Sequence, residues 1–99
     1  MTVNVRFVME LESSPELRNG KKIVPVEISE GATFGELLRG LEGLFGPELA
    51  GEIYDPARQS MQHMVIATIR GVLAHNLEGT DTVLYEGDSV IFLPLAMGG

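Results

Sequence analysis

The sequence of 99 residues contains no cysteine and no tryptophan. The absence of cysteine excludes disulfide bridges, thiolate catalysis and cysteine-ligated metal sites, so side-chain packing alone must hold the fold. Without disulfide chemistry, the cytoplasm is the expected compartment. No apolar stretch approaches the roughly 20 residues that a membrane span needs, and no basic-then-apolar leader opens the sequence, so we expect no membrane partner.

Positive charge is scarce as well. Seven Lys and Arg residues stand against fourteen Asp and Glu residues, which gives a formal net charge of −7. The basic residues are scattered, and only Lys21 and Lys22 are adjacent. Binding to nucleic acid requires a positive surface that releases counterions from phosphates, so we expect no nucleic-acid partner. The negative charge would suit steered docking onto a basic protein surface.

Ligand motifs are also lacking. His63 and His75 lie on different predicted elements without carboxylates at metal-ligand spacing, so no metal site is predicted. No Gly-x-Gly-x-x-Gly or Walker loop occurs, and we expect no bound cofactor. Glu86 and Asp88 flank Gly87, which favours a turn before a strand over a pair of catalytic carboxylates.

The residues that are present predict a folded domain over residues 1–99. Hydrophobic residues make up 44% of the chain, a normal share for a globular protein. The odd positions from Val3 to Met9 are apolar, which predicts a strand with one buried face. A second strand, Ile23 to Ile28, follows a loop that ends in Asn19-Gly20, and the two strands are typical of an antiparallel hairpin.

A helix is predicted after residue 33. Thr33 is a natural N-cap and Glu36 stands three residues later, which makes a capping box. Gly46-Pro47 is predicted to end this helix. Between these limits, apolar residues recur at helical spacing and predict one buried stripe: Phe34, Leu37, Leu38, Leu41, Leu44 and Phe45.

The second half of the chain predicts further strands. From Glu48 to His63 the pattern is lost. Ile53 and Tyr54 are expected to turn inward, and exposed loop is expected at Asp55-Pro56 and at Arg58-Gln59-Ser60. Strand character returns at 64–69, at 72–74 and at 90–95. Because the first and last strands are the most continuously apolar, they are expected side by side in the centre of the sheet. This order predicts an α+β fold of the β-grasp (ubiquitin-like) type, a mixed sheet of four to five strands packed on one main helix.

The last fifteen residues, from Tyr85 to Gly99, are similar to a known signature. A Gly-Asp turn is followed by alternating apolar residues, a proline and Gly-Gly. This pattern resembles the MoaD/ThiS family of ubiquitin-like sulfur carriers, typified by the small subunit of molybdopterin synthase. Two departures bear on the pathway: Leu95 stands where these subunits often carry a second proline after Pro94, and the segment 47–63 is longer than in compact members.

The resemblance implies chemistry at the C-terminus. An E1-like adenylyltransferase of the MoeB/ThiF type would use ATP to convert the Gly99 carboxylate into an acyl-adenylate, and sulfide would then leave a thiocarboxylate. The chain itself would be a carrier and not an enzyme. A flexible tail, about residues 95–99, would thread the partner's channel, since glycine has no side chain to clash there. The residues assigned to threading are Gly98, Met97, Ala96, Leu95 and Pro94.

The sulfur acceptor stays open at this stage. The resemblance favours the large subunit of molybdopterin synthase, and thus biosynthesis of the molybdenum or tungsten pterin cofactor. Thiamine, cysteine or tRNA thiolation pathways are alternatives. A ubiquitin-like modifier, in which a target lysine intercepts the activated Gly99, shares the chemistry up to the adenylate. A plain interaction domain with an incidental diglycine is a further alternative.

Strand alternation predicts a partner surface. If Val90 and Phe92 face the helix, Ile91 and Leu93 must face away from it. Large aliphatic groups near solvent on a central strand favour a binding surface, so Ile91, Leu93 and Thr68 are predicted to form its centre, ringed by acidic residues. The alternative is that the segment 48–63 folds over this face and buries it.

Overall fold

The computed structural model describes residues 1–9, 11, 16–17, 22–55, 60–62 and 65–94. Two short 3₁₀ turns, Ala74–Asn76 and Gly79–Asp81, precede the last strand. The predicted Asn19-Gly20 turn and the tail 95–99 lie outside the described residues. In chain order the strands and helices are β1 (Thr2–Phe7), β2 (Val24–Glu27), α1 (Phe34–Phe45), α2 (Pro47–Ile53), β3 (Tyr54–Asp55), β4 (Ser60–Met61), β5 (Val65–Ile69), β6 (Val72–Leu73) and β7 (Ser89–Pro94).

The main sheet is mixed and has five strands, in the order β2-β1-β7-β5-β6. β1 pairs antiparallel with β2 and parallel with β7, and β7 pairs antiparallel with β5. The first and last strands are therefore neighbours and β7 is the middle strand, as the sequence predicts. A parallel pair needs a long crossover connection, and the chain between β1 and β7 supplies it.

The predicted alternation along β1 is present in the structure. Val3, Val5 and Phe7 are fully buried, whereas the polar residues between them are half-buried on the opposite face. The buried side chains of the sheet and of both helices form one core. Leu11 and Leu17 also belong to this core, which the sequence pattern does not predict because both lie in an aperiodic stretch.

Helix α1 begins at the predicted capping box. Thr33 Oγ1 accepts the Glu36 N–H at 3.3 Å, and Glu36 Oε1 accepts the Thr33 N–H at 3.3 Å. The apolar stripe is buried from Phe34 through Leu41, but the prediction for Leu44 is wrong, because Leu44 is 60% exposed. Phe45, one residue further around the helix, takes the last core position and lies edge-on to Phe7 at 6.5 Å between ring centroids.

The sequence pattern does not predict the second helix, which begins directly after α1. Gly46 ends α1, but Pro47 begins α2, since a proline fits the first helical position, where no N–H partner is needed. Leu49, Ala50 and Ile53 are buried on one side of α2. Beyond it, Tyr54–Asp55 and Ser60–Met61 pair as an antiparallel ribbon, so the loop prediction is wrong at Asp55 and Ser60. The rest of that predicted loop, residues 56–59, lies outside the described residues.

Turns with positive φ connect the later strands. Arg70 has φ 53° and Gly71 has φ 81° between β5 and β6, the combination that a two-residue type I′ hairpin requires. The predicted turn before β7 is confirmed: Gly87 has φ 80°, and the Asp88 N–H donates to the Tyr85 carbonyl at 3.0 Å. Among the described residues, no helix is long and apolar enough to cross a membrane.

Candidate functional site

The candidate site is built on β7, which aromatic packing holds in the centre of the core. Val90 and Phe92 point into the core and are fully buried. The Phe92 ring stacks on Phe7 with centroids 5.4 Å apart and on Phe34 with centroids 6.0 Å apart. β1 and α1 thus fix the inner face of β7.

A buried carboxylate anchors the start of β7. Asp88 is 6% exposed, and its carboxylate accepts the Tyr85 N–H at 2.7 Å and pairs with the Arg70 guanidinium. That guanidinium also lies 5.2 Å from the centroid of the Tyr85 ring, and the Arg70 N–H donates to the Ser89 carbonyl at 3.0 Å. Asp88 therefore ties two turns together at the point where the central strand begins.

Glu86 does not share this environment. Its exposed carboxylate accepts the Thr2 N–H at 3.1 and 3.2 Å. Because Glu86 and Asp88 have separate partners on separate elements, they do not converge on a common site. The interpretation of this segment as a turn, and not as a pair of catalytic carboxylates, is confirmed.

At its other end, β7 finishes in Pro94. Pro94 is exposed and pairs with Val65 of β5, so the residue assigned to the threading tail is the last residue of the strand. Proline has no N–H to donate to a further ladder bond, which favours the end of sheet pairing here. The remaining tail assignments lie outside the described residues: Leu95, Ala96, Met97, Gly98 and Gly99.

The predicted partner residues share the face of the sheet that points away from the helices. Ile91 and Leu93 are half-buried, whereas Val90 and Phe92 on the other face are fully buried. Thr68 pairs directly with Ile91 across the β5–β7 ladder, so the structure brings the three predicted residues together. Their role in binding remains a prediction.

Three further residues on this face were missed. Ile66 pairs with Leu93, Arg6 pairs with Ile91, and Leu73 pairs with Thr68. Residues directly opposite in neighbouring strands lie on the same face, so these side chains extend the surface on both sides of β7. The signal that could have found them is the strand register, which requires the pairing of distant segments.

The helices do not cover this face. Leu49 and Ile53 of α2 belong to the same core as the buried residues of α1, so α2 packs on the helix-bearing side. The described part of the segment 48–63 therefore does not bury Ile91 and Leu93, contrary to the alternative considered above.

A cavity of ≈ 560 Å³ lies on the helix side, between α1, α2 and the 79–81 turn.

Acidic residues are unevenly distributed between the two sides. Glu27, on the edge strand β2, is the acidic residue among the described residues of the five sheet strands. The helices and their connections carry many more, so the predicted acidic ring around Ile91 and Leu93 is not supplied by the strands. No three His, Cys, Asp or Glu side chains within the described ranges are placed to hold a metal ion.

Comparison with known proteins identifies the fold. No family model matches the sequence, and no curated protein matches it significantly. Small archaeal modifier protein 1 from Haloferax volcanii has a similar structure, with 20% identity, a TM-score of 0.74 and coverage of 100% of both chains. The HVO 2177 protein of the same organism is 27% identical with a TM-score of 0.74, over 100% of this chain and 87% of its own.

A further neighbour comes from a complex. The CysO structure in the BexX/CysO complex of Amycolatopsis orientalis is 18% identical, with a TM-score of 0.72 over 98% of this chain and 99% of its own. All three similarities cover 98% or more of this chain, so the whole described sheet lies within the matched part. These similarities confirm the predicted fold: this chain has the β-grasp (ubiquitin-like) fold.

Proposed function

We propose that this chain is a sulfur carrier whose Gly99 carboxylate is adenylated by an E1-like enzyme and converted into a thiocarboxylate. The observation that carries the proposal is the course of β7. The central strand ends at an exposed Pro94, and the sequence continues with Leu95-Ala96-Met97-Gly98-Gly99. A rigid strand that leads into a diglycine presents a carboxylate on a narrow tether, which an enzyme channel can accept.

The proposed reaction assigns most of the chemistry to the partner. The Gly99 carboxylate attacks the α-phosphorus of ATP, and pyrophosphate leaves. Sulfide (HS⁻) supplied by a partner then attacks the acyl carbon, a C–S bond forms, and AMP leaves with the electron pair of the broken C–O bond. This chain has no cysteine, so the sulfur it carries sits on its terminal carbonyl. The ATP site and the general base belong to the activating enzyme.

Docking of the partner uses the open face of β7. Leu93 lies one residue before Pro94 on the same strand, so a partner that grips the tail passes next to Leu93, Ile91 and Thr68. Extended peptides are commonly held through main-chain hydrogen bonds with pockets for alternate side chains, a mode available to residues 95–97. CysO, which shares this fold, was found in a complex with BexX, which supports docking as the working mode of such a domain.

Biosynthesis of the molybdenum or tungsten pterin cofactor is the pathway we propose, with the large subunit of a molybdopterin synthase as acceptor. Thiamine, cysteine and tRNA thiolation remain the other sulfur-transfer candidates. A second function, conjugation through Gly99 to lysines of target proteins, has its own support. One protein with this fold, from Haloferax volcanii, is named small archaeal modifier protein 1. Both functions place the chain in the cytoplasm beside an ATP-dependent enzyme.

ATP–pyrophosphate exchange with a candidate activating enzyme tests the shared first step. We expect exchange with the intact chain and none after deletion of Gly99 or with Gly98→Val, which blocks the tether with a branched side chain. Circular dichroism should show the same fold for all three proteins. Unchanged exchange with the Gly99 deletion would overturn the proposal.

Intact mass separates the carrier from the modifier. A carrier isolated from cells should contain a fraction in which one oxygen is replaced by sulfur. A modifier should be found on lysines of other proteins, but trypsin leaves the long remnant Gly71–Gly99 there because no Lys or Arg follows Arg70. Cyanogen bromide, which cleaves after Met97, leaves only Gly98-Gly99 on the lysine and is the better reagent. Absence of both signals would leave the plain interaction domain.

A further inference from the structure

We propose that a groove on the helix side of the domain is a docking site for a basic segment of a partner protein. The helix-side groove is the cavity of ≈ 560 Å³ that lies between α1, α2 and the 79–81 turn. Ligand-binding clefts in proteins commonly enclose about 300–1,000 Å³, so the groove has the size of a binding site. The inference goes beyond the proposed function, because it involves neither Gly99 nor the open face of β7.

The two helices form the long walls of the helix-side groove. The α1 residues that line it recur from Gly35 to Glu42 at positions i, i+3, i+4 and i+7, and the lining residues from Pro47 to Tyr54 follow the same spacing. Residues at this spacing share one face of a helix, so one face of each helix borders the groove. Seven residue steps along a helix extend about 10 Å, which is the length of about three residues of an extended segment.

The 79–81 turn closes the groove as its third wall. The Phe34 N–H donates to the Thr82 carbonyl at 2.8 Å, which ties the end of this turn to the start of α1. A Cβ built on Gly35 would lie 3.2 Å from the Thr80 carbonyl oxygen, so the turn approaches α1 as closely as a glycine allows. Because these contacts already hold the walls in place, docking does not have to order them.

The floor of the groove is apolar. Leu38 is 3% exposed and Ala50 is 9% exposed, and both line the cavity. Gly51 lines the same space, and a Cβ built there meets nothing within 4 Å. The aliphatic part of a partner side chain can therefore lie on Leu38 and Ala50 beside Gly51.

Two carboxylates select the kind of side chain that fits. Glu42 and Asp81 are exposed and line the groove, and neither forms an ion pair with another described residue. An arginine or lysine side chain lays its aliphatic stem on apolar surface and keeps its charged head in water. On this floor the head would meet the two carboxylates and form charge-assisted hydrogen bonds. Arg39 also lines the groove, so the lining keeps an excess of negative charge, and Arg39 can donate to main-chain carbonyls of the segment.

The charge around the groove favours the same kind of partner. The helices α1 and α2 and the 79–81 turn carry five acidic residues and one basic residue, Arg39. Complementary charge speeds the encounter of two proteins and rejects partners of like charge. Because the groove and the open face of β7 lie on opposite sides of the sheet, a basic segment and an activating enzyme can be bound at the same time.

An NMR titration of the full chain with the peptide acetyl-Arg-Leu-Arg-amide tests the inference. We expect saturable shifts of the amide signals of Gly35, Arg39, Gly51 and Asp81. A control peptide with citrulline in place of both arginines keeps their shape without their charge, and we expect it to bind about fivefold more weakly. Equal binding of the two peptides, or shifts spread over the exposed carboxylates of both sides of the sheet, would overturn the proposal.

Gly51→Leu is the decisive variant because it fills the groove from a position where a Cβ has free space. We expect the saturable shifts to disappear. Gly43→Leu is the matched control: Gly43 lies in α1 outside the groove, and a Cβ built there also meets nothing within 4 Å. Circular dichroism should show the same fold for both variants. Equal affinities of the two folded variants for the arginine peptide would mean that the groove is not the site.

Loss of single charges separates the groove from the charge of the whole chain. Glu42→Gln and Asp81→Asn should each raise the Kd of the arginine peptide about twofold to fivefold. Glu30→Gln removes the same charge from an exposed residue outside the groove and should change the Kd clearly less. Equal changes for all three variants would reduce the effect to long-range attraction and would contradict a defined site.

The test is also separate from that of the proposed function. We expect Gly51→Leu to leave ATP–pyrophosphate exchange unchanged, because the activating enzyme docks on the other side of the sheet. Loss of exchange in this folded variant would mean that the activating enzyme itself occupies the groove, which would overturn the assignment to a second partner. Absence of exchange with the unmodified chain would instead count against the proposed function and leave the peptide titration as it stands.

Discussion

The two faces of β7 are built from similar side chains but are covered very differently. On one face, Val90 and Phe92 are 0% exposed against α1 and β1. On the other face, Ile91 and Leu93 are only half-buried. The inner face fixes the strand, and the outer face leaves aliphatic groups available to a partner. Substitutions on the inner face should therefore lower the stability of the fold, whereas substitutions on the outer face should weaken binding to a partner.

The largest effect is expected on the inner face. Phe92→Ala removes a ring that stacks on two other phenylalanines and should lower the free energy of unfolding by about 3–5 kcal/mol. Urea denaturation followed by circular dichroism measures this change. Ile91→Ala is the matched control and should cost clearly less, since that side chain keeps part of its surface in water. Equal losses would mean that the two faces do not differ as described.

Asp88→Ala should have the next largest effect. It leaves the Tyr85 N–H without its acceptor and the Arg70 guanidinium without its partner, so we expect a loss of about 1–3 kcal/mol in the free energy of unfolding. Glu86→Ala, at an exposed carboxylate, should change it by less than about 0.5 kcal/mol. Thermal denaturation of both variants makes the comparison. Similar values for both would show that burial of Asp88 does not matter at the start of β7.

Leu93→Asp tests the outer face. The variant should fold, but its affinity for an activating enzyme should fall about tenfold or more, because a charge is brought into an apolar contact. Leu44→Asp is the control, since Leu44 is 60% exposed on α1, on the helix side. Titration calorimetry gives both affinities. Unfolding of the Leu93 variant, or equal affinities for the two variants, would show that the open face is not the interface.

The smallest change in the free energy of unfolding is expected in helix α2, which packs on the same side of the sheet as the inner face of β7. Gly51 lies inside α2, and a Cβ built there meets nothing within 4 Å. Gly51→Ala should therefore raise the free energy of unfolding by about 0.5–1 kcal/mol, as for a helix interior. Gly87→Ala is the contrast, because its φ of 80° disfavours any Cβ and should destabilise by about 1–2 kcal/mol. Melting temperatures measured by calorimetry show which of the two variants is more stable. A lower melting temperature for Gly51→Ala than for the unmodified chain would contradict the open space beside Gly51.

The parts of the fold that the sequence predicts correctly are those with a local pattern, either the hydrophobic alternation of a strand or the capping box of a helix. The alternation along β1 and the Thr33–Glu36 capping box are local patterns, and each is strong enough to survive in the fold. The continuous apolar run of the last strand predicts that it is central, and β7 is indeed the middle strand of the sheet. These local features define the β-grasp order and place the two faces of β7.

The errors have non-local causes. Helix α2 has only seven residues, so its apolar residues are too few to show a period, and Pro47 gives the same signal at a helix start as at a helix end. Leu44 is exposed because Phe45 fills the position beside Phe7. Ile66 and Leu73 join the open face through strand register, which depends on pairing between distant segments.

The parallel pairing of β1 with β7 has a consequence for biosynthesis. The middle strand of the sheet is the last strand to leave the ribosome, and its partner β1 is the first. Non-local pairing of this kind forms late because most of the chain must be closed into a loop beforehand. Until β7 inserts, Phe7 and Phe34 lack their central ring partner and the core stays open. Under the proposed function, an enzyme that docks on the β7 surface would act only on copies in which β7 has already joined the sheet.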